Sequence, residues 1–250
     1  MKKIFLPSSL FCLLTLSLGL ISFKANSKKA ENKAAAASTE KTIAVENKNA
    51  TVEAASNLLY DSLNLAELGL PKKVMQLAYK GHQQLADRGV LNNDHIIAIV
   101  DFSQPSNKKR LYVIDTRNYR ILYNTFVAHG KNSGLHYAER FSNRPESLQS
   151  SLGFYVTKQT YFGKHGLSLK LEGQEEGFND KAEARAIVMH GAEYIGSGRL
   201  GAAYMGRSFG CPAVPQSESK EIITTLKNGT CLFIYHPSQK YLNTSKILNA

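Results

Sequence analysis

One histidine and one cysteine in the second half of the chain have the surroundings that nucleophilic catalysis requires. His190 is followed by Gly191, and a glycine-rich stretch separates this pair from Cys211. A catalytic cysteine needs a base that takes its proton, surroundings that favour the thiolate, and N–H groups directed at the developing oxyanion. A nearby histidine supplies the first and contributes to the second. This pattern predicts acyl chemistry with Cys211 as nucleophile and His190 as base.

The residues next to Cys211 are compatible with that role. Gly210 permits a close approach of the backbone to a substrate carbonyl. Pro212 has no N–H, so donors for an oxyanion must come from Cys211 or from residues before it, and the proline restricts Cys211 to extended backbone. Ser208 is a candidate nucleophile only if the cysteine is structural, and a hydrogen bond within the turn is the favoured interpretation for its hydroxyl.

The other cysteines leave one alternative open. Cys12 lies in an apolar N-terminal run, which leaves Cys211 and Cys231 in the rest of the chain. Proteins outside the cytoplasm often pair their cysteines, so a Cys211–Cys231 disulfide is the alternative to catalysis. Cys231 precedes a Leu-Phe-Ile run and is predicted to face a core as a small apolar side chain. Unpaired cysteines in an oxidising compartment need a reason to persist, and catalysis is such a reason.

Metal or nucleotide binding is a weaker interpretation of the same region. His165, His190, Cys211 and an acid such as Glu193 would have to converge on zinc, but no two of them have the close spacing of known zinc motifs. The glycine-rich stretch lacks the Gly-Lys-Ser/Thr ending of a phosphate-binding loop. We therefore predict that the protein uses neither a metal nor another cofactor.

The N-terminal residues predict export. Lys2 and Lys3 precede an apolar run over residues 10–23, and small residues follow at the positions that a signal peptidase reads. The run is shorter than the roughly 20 residues of a spanning helix. We expect a signal peptide over residues 1–27, no stable membrane span after its cleavage, and a location in the periplasm or cell envelope. An uncleaved membrane anchor is the alternative.

The positive charge of the chain indicates an anionic partner. The formal net charge is +11, and removing residues 1–27 takes away three lysines and no acid, which leaves +8. A basic protein outside the cytoplasm is drawn to anionic polymers such as those of the cell wall. Export argues against nucleic acid as the partner, and no nucleic-acid-binding motif is present in the sequence.

The segments before residue 92 predict a linker and two helices. Residues 28–51 are rich in lysine, alanine and glutamate without an apolar period, which is typical of a flexible linker. Residues 52–91 have apolar side chains at helical spacing, interrupted near Gly69 and Pro71. This helical hairpin is too small to bury a core alone, so we expect it to pack on the next domain.

Residues 92–237 predict a strand-rich domain. The predicted strands cover residues 96–100, 110–116, 119–128, 153–161, 167–171, 186–189 and 231–235. Short turns join the first three, which indicates an antiparallel meander. A single internal helix is predicted over residues 215–226, with Ser217 or Ser219 as its cap. Residues 238–250 are left as a C-terminal tail.

These residues resemble a known family, the L,D-transpeptidases of peptidoglycan with a YkuD-like catalytic domain. Their signature is a His-Gly pair, a loop and Ser/Thr-x-Gly-Cys, and both His190-Gly191 and residues 208–211 fit it. Upstream segments such as residues 185–192 are similar to the branch whose motif ends Gly-Cys-Pro-Ala. The resemblance covers residues 92–237. It implies that the backbone carbonyl of Gly191 orients the imidazole of His190.

The resemblance implies a fold and an activity. The fold is a mainly β, YkuD-like sandwich of mixed sheets with one internal helix, here preceded by a small helical hairpin. The activity is peptidoglycan L,D-transpeptidation, in which the cysteine forms a thioester with a stem tetrapeptide and D-alanine leaves. The acceptor is an amine of another stem peptide or of a wall-anchored protein. An L,D-carboxypeptidase and a non-catalytic cell-wall-binding module remain alternatives.

The resemblance also bears on the lining of the cleft. Tyr155 and Tyr161, on a predicted strand, are candidates that lend a hydroxyl. Many family members have histidine at the position of Phe209 and arginine or asparagine directly after the cysteine, where this chain has Pro212. Arg207 is therefore the candidate that pairs with a substrate carboxylate.

Overall fold

The computed structural model describes residues 46–250. The signal peptide predicted over residues 1–27 and most of the predicted linker lie outside this range. Residues Thr51–Ala250 form one compact unit. Within residues 46–250, no helix has both the length and the apolar character needed to cross a bilayer.

The helical hairpin predicted over residues 52–91 is present. Its first helix, α1, covers residues 46–62, so the last residues of the predicted linker are helical. Its second helix, α2, covers Lys72–Asp87. Pro71 occupies the N-cap position of α2 with φ −65°, next to the first turn, where helical N–H groups lack intrahelical partners in any case.

Helix α2 packs on the sheet through one apolar face. Its buried residues are Val74, Met75, Ala78, Gly81, His82 and Leu85. A Cβ at Gly81 would overlap the ring of Phe154, and that ring stacks on Phe233 with 4.2 Å between centroids. The hairpin therefore shares the core of the domain, as its small size predicts.

Eight strands within residues 46–250 form one mixed sheet. They are β1 (Asn93–Asp101), β2 (Leu111–Asp115), β3 (Arg120–Thr125), β4 (Gly153–Gly163), β5 (Gly166–Gly173), β6 (Val188–Ala192), β7 (Ala213–Pro215) and β8 (Thr230–Tyr235). Their order in the sheet is β3-β2-β1-β8-β4-β5-β6-β7. The β1–β8 and β6–β7 pairs are parallel, and the other pairs are antiparallel. The predicted meander of the first three strands is confirmed.

The sheet nearly closes on itself through residues 126–131, which follow β3. The N–H of Ala128 donates to the carbonyl of Ala213 over 2.8 Å, and the N–H of Lys131 donates to that of Ser208 over 2.8 Å. The segment thus links the end of β3 to β7, the two outermost strands. The predicted mainly β fold with mixed pairing and a leading helical part is confirmed, and its strands belong to a single sheet.

Three local predictions need correction. His190 lies inside β6 rather than after its end, because residues 190–192 pair with β7. Strand β7 was not predicted. Helix α3 covers Gln216–Leu226 and begins after Pro215 without a side-chain cap. Ser219 does not cap it, because its hydroxyl donates to the carbonyl of Gln216 within the first turn.

The C-terminal segment, predicted as a tail, contains helix α4 (Gln239–Thr244) and packs on the domain. The buried hydroxyl of Tyr241 donates to the carboxylate of Glu175 over 2.8 Å. The Ser245 hydroxyl and the Phe154 N–H donate to the same carboxylate. Burial raises the pKa of Glu175, and these donors act in the opposite direction. The segment therefore satisfies a buried carboxylate that would otherwise be costly.

Two buried histidines couple the stability of the fold to pH. Burial lowers the pKa of His82 to about 4. Burial, together with the adjacent Arg110 guanidinium, lowers the pKa of His129 to about 3. Both side chains are neutral in the folded protein at neutral pH, and the unfolded chain takes up their protons below pH 6.5 or thereabouts. The folded state is therefore favoured above that pH and loses stability as pH falls towards the folded pKa values.

We expect the free energy of unfolding to fall by about 1.4 kcal/mol per pH unit for each of these two histidines between about pH 6 and pH 4.5. His82→Gln removes one of the two titrating side chains. The dependence of its unfolding free energy on pH should therefore be weaker by about 1.4 kcal/mol per pH unit. Urea titrations at several pH values measure the slopes. His95→Gln, at a partly exposed position, is the matched control. Equal slopes for His82→Gln and the wild-type chain would contradict the prediction.

Candidate active site

His190 and Cys211 come together where β6 and β7 run parallel. His190 lies opposite Ala213 in this pair. The register therefore carries Cys211, two residues before Ala213, to the level of Val188. The contact agrees with this placement, because the N–H of Val188 donates to the Cys211 sulfur over 3.5 Å. Two residues that are 21 positions apart in the sequence are thus two positions apart in the register of neighbouring strands.

The imidazole of His190 is held by the backbone next to it. The residue is 2% exposed, and its Nδ1 lies 2.8 Å from the carbonyl oxygen of Gly191. Because a carbonyl oxygen only accepts, Nδ1 carries the proton and Nε2 is left as an acceptor. This is the arrangement that the resemblance implies for Gly191, and it leaves the imidazole able to act as a base through Nε2.

The surroundings favour an uncharged pair at neutral pH. Burial lowers the pKa of His190, His165 lowers it further, and the Gly191 carbonyl opposes the shift. Burial raises the pKa of Cys211, while the Val188 N–H and the Arg185 guanidinium act in the opposite direction. Both shifts favour the uncharged forms, a thiol at Cys211 and a neutral imidazole at His190.

The thiol of Cys211 rests against backbone groups. Its sulfur donates to the carbonyl of Ala186 over 3.8 Å and accepts from the Val188 N–H. These two groups are its hydrogen-bond partners among residues 46–250. Ala186 has φ +52°, a left-handed conformation that a non-glycine residue adopts at a cost of about 1–2 kcal/mol. The thiol proton is therefore directed at the Ala186 carbonyl.

A tight turn precedes the cysteine. The Ser208 hydroxyl donates to the Cys211 carbonyl over 2.6 Å and accepts from the Gly210 N–H over 3.1 Å. Ser208 thus stabilises the turn, which was the favoured interpretation. The Gly210 N–H is used within the turn and is not available to an oxyanion. The N–H of Cys211, which lies against its own sulfur and lowers the pKa of the thiol, is the remaining candidate donor.

Sequence reasoning missed the importance of Arg185, which anchors a loop beside the cysteine. Its guanidinium donates to the carbonyls of Ser142 and Gln149, each over 2.7 Å. It also bonds to the hydroxyls of Ser147 and Ser151. A half-buried arginine with four partners in one loop fixes that loop against the active site. Only its place just before the histidine strand signals this role in the sequence.

The predicted substrate anchor, Arg207, is engaged by the protein itself. Its Nη1 donates to the carbonyls of Lys131 and Gly134 over 3.0 and 3.2 Å. Its guanidinium lies 4.9 Å from the ring centroid of Tyr204. Arg207 therefore holds the 131–134 loop beside the site, with fewer donors left for a substrate carboxylate.

The two tyrosines named from the sequence have different positions. Tyr155 is buried, and its hydroxyl donates to the Ser151 carbonyl, so it is not open to a substrate. Tyr161 pairs with Ser168 across the β4–β5 hairpin, and Ser168 pairs with His190. Tyr161 is 38% exposed and lies on the strand row that leads to the histidine. Of the two tyrosines, Tyr161 is therefore the one that remains accessible.

Neither cysteine forms a disulfide. Cys211 and Cys231 are both free. Cys231 is fully buried in β8, and burial raises the pKa of its thiol. The structure therefore does not contain the Cys211–Cys231 disulfide that the sequence left open. Within the described range of the chain, no cluster of three or more His, Cys, Asp or Glu side chains is placed to hold a metal ion.

Comparison with known proteins assigns the class of the domain. Residues 66–235 match the family model described as the L,D-transpeptidase catalytic domain, YkuD_2. This match covers more than half of the chain. The protein therefore belongs to the L,D-transpeptidase family of peptidoglycan enzymes, as the motif around His190 and Cys211 predicts. The matched region begins before α2, so the second hairpin helix is part of it.

The solved structures that match the chain are distant in sequence. An L,D-transpeptidase from Mycobacterium smegmatis is 10% identical with a TM-score of 0.35, over 57% of this chain and 59% of that one. An L,D-transpeptidase from Xylanimonas cellulosilytica is 16% identical with a TM-score of 0.34, over 61% and 68% of the two chains. The chain thus spans about three fifths of the first structure. No curated protein matches the chain.

The uncharged resting pair predicts how a thiol reagent will respond to pH. The rate of iodoacetamide alkylation at Cys211 should rise through a midpoint above the value of about 8.5 that is usual for free cysteine, because burial raises the pKa of this thiol. Peptide mass spectrometry resolves Cys211 from the buried Cys231. A midpoint below that of free cysteine would show that the pair rests as thiolate and imidazolium.

The turn before the cysteine predicts a second effect. Gly210 has φ +125°, and a Cβ there would lie 2.8 Å from the Gln149 carbonyl oxygen. Gly210→Ala should lower the rate of acylation at Cys211 by at least about tenfold, because a displacement near 1 Å is costly in a catalytic site. Circular dichroism checks that the fold persists. Gly198→Ala, where a Cβ meets no atom within 4 Å, is the control and should keep the wild-type rate.

Proposed function

We propose that this protein is a peptidoglycan L,D-transpeptidase in which Cys211 forms a thioester with a stem tetrapeptide. The observation that carries the proposal is the hydrogen bond from the Val188 N–H to the Cys211 sulfur, which places the thiol against β6 two residues before His190. The hydrogen bond from Nδ1 of His190 to the Gly191 carbonyl supports it, because it leaves Nε2 to accept a proton. Membership of the L,D-transpeptidase family supplies the substrate class.

The first half-reaction transfers the acyl group to the enzyme. Nε2 of His190 takes the proton of the Cys211 thiol, and the sulfur attacks the carbonyl of the third stem residue at its L-centre. The N–H of Cys211 stabilises the oxyanion that forms. As the tetrahedral intermediate collapses, the imidazolium returns the proton to the departing amine, and D-alanine leaves. A thioester between Cys211 and the tripeptide remains.

The second half-reaction releases the acyl group. An amine from a neighbouring stem peptide, or from a wall-anchored protein, gives a proton to Nε2 of His190 and attacks the thioester. A new amide bond forms, the carbon–sulfur bond breaks, and the sulfur recovers its proton from the imidazolium. In the L,D-carboxypeptidase alternative, water takes the place of the amine and leaves a shortened tripeptide stem.

Two exposed aromatic side chains are compatible with binding of a polymeric substrate. Phe209, two residues before the nucleophile, is 68% exposed, and Phe162 at the tip of the β4–β5 hairpin is 84% exposed. Large exposed aromatic side chains at a site are typical of surfaces that bind another molecule. This substrate lies outside the cytoplasm, so export by the predicted signal peptide belongs to the same proposal.

Purified cell-wall sacculi test the proposal. Incubation with the protein should release D-alanine and produce dimers linked between third stem residues, which chromatography with mass spectrometry identifies. Cys211→Ser should abolish both products, because it removes the nucleophile. Cys231→Ala is the matched control and should retain them, because that cysteine is buried in the core.

Two other outcomes decide between the alternatives. Shortened tripeptide stems without dimers would replace the transpeptidase with an L,D-carboxypeptidase. The absence of both products, together with no adduct at Cys211 after treatment with a carbapenem, would leave a non-catalytic wall-binding module and overturn the proposal.

A further inference from the structure

A second imidazole covers the candidate base. The ring of His165 lies against the ring of His190 with 4.2 Å between centroids and 18° between planes, so the two rings are stacked. His190 is buried, whereas His165 is exposed. A solvent-facing histidine thus covers one face of a buried one.

The β4–β5 hairpin fixes the position of His165. Gly163 pairs with Gly166, which leaves Lys164 and His165 as a two-residue turn. Gly166 has φ +74°, a conformation that glycine adopts without strain. On the outgoing strand, Ser168 pairs with His190. The register between β5 and β6 therefore sets where the turn lies relative to the base.

The imidazole of His190 is restrained at an edge and on a face. Nδ1 donates a hydrogen bond to the Gly191 carbonyl over 2.8 Å. This bond fixes the position of one edge of the ring. The stacked ring of His165 blocks movement on one face. A single hydrogen bond permits an imidazole to swing about the bond axis, and a stacked ring removes this freedom. With both restraints, the direction of Nε2 is fixed.

We propose that His165 is a positioning residue for the base, whose stacked ring holds the imidazole of His190 in the orientation that the Gly191 carbonyl sets. This inference rests on the proposed function of His190 and deepens it. The role is one of geometry, so an aromatic ring without nitrogen at position 165 should preserve it. A small side chain at the same position should not.

The charge of His165 adds a second effect. A protonated His165 repels a protonated His190 across 4.2 Å, and His165 accordingly lowers the pKa of His190. Besides burial, the groups that shift the pKa of His190 are the Gly191 carbonyl and His165, whereas the nearby charges of Arg185 and Tyr194 interact with Cys211. Loss of the imidazole at position 165 should therefore move the acid limb of the activity profile to higher pH.

Two substitutions in the full chain separate stacking from charge. His165→Ala removes the ring, and His165→Phe keeps a ring without the charge. The rate constant for acylation of Cys211 at saturating carbapenem should fall at least about tenfold in His165→Ala and stay within about threefold of wild type in His165→Phe. The midpoint of the acid limb should rise in both. Lys164→Ala, in the same turn, is the control and should match the wild type.

A second measurement does not depend on turnover. Nuclear magnetic resonance of the His190 imidazole gives its tautomer and its pKa in each variant. We expect the Nδ1–H tautomer throughout and a higher His190 pKa in His165→Phe than in the wild type, because the ring is kept and only the charge is lost.

The contradicting results are distinct from those that refute the proposed function. A wild-type rate and acid limb in a folded His165→Ala would overturn the inference, and so would equal losses of rate in His165→Ala and His165→Phe. An unchanged His190 pKa in His165→Phe would remove the effect of charge. Failure of the wild-type protein to form any adduct at Cys211 would instead refute the proposed function, and the resonance measurement would still test the stack.

Discussion

The parallel pairing of β6 with β7 is the constraint on which the rest of the site depends. β7 has only three residues, yet it aligns His190 with Ala213 and so brings Cys211 to the Val188 N–H. Helix α3 follows β7 immediately and lies against β6. A Cβ on Gly191 would come within 2.5 Å of the Ser219 hydroxyl. Because Gly191 has no side chain, helix α3 can pack closely against β6. The carbonyl of Gly191 accepts the hydrogen bond from the His190 imidazole.

Burial shifts the pKa values of His190 and Cys211 in opposite directions, and both shifts favour the uncharged form of the side chain. It lowers the pKa of His190 and raises the pKa of Cys211. The positive charge of Arg185 opposes the second shift, but this arginine is also committed to the loop of residues 142–151. A neutral thiol reacts slowly with oxidants and electrophiles.

Much of the fold could be predicted from the sequence because its signals are local. The hairpin helices and the long strands have apolar periods, and the His-Gly and Ser-x-Gly-Cys segments carry a recognisable spacing. Strand β7 was not predicted because its three residues, which end in Pro215, are too few to show an alternation of apolar and polar side chains. The role of His165 could not be predicted, since it depends on the register between β5 and β6. Arg185 and the C-terminal Tyr241 likewise act only through tertiary contacts.

The position of the last strand determines when the sheet can form. β8 lies between β1 and β4, and its parallel pairing places Leu232 beside Ala98. The centre of the sheet thus joins two segments from opposite ends of the catalytic domain. Non-local pairing of this kind is slow because a long loop must close first. During synthesis, β1 lacks its partner β8 until the final strand has been made. The central pair of the sheet therefore forms only when synthesis of the domain is nearly complete.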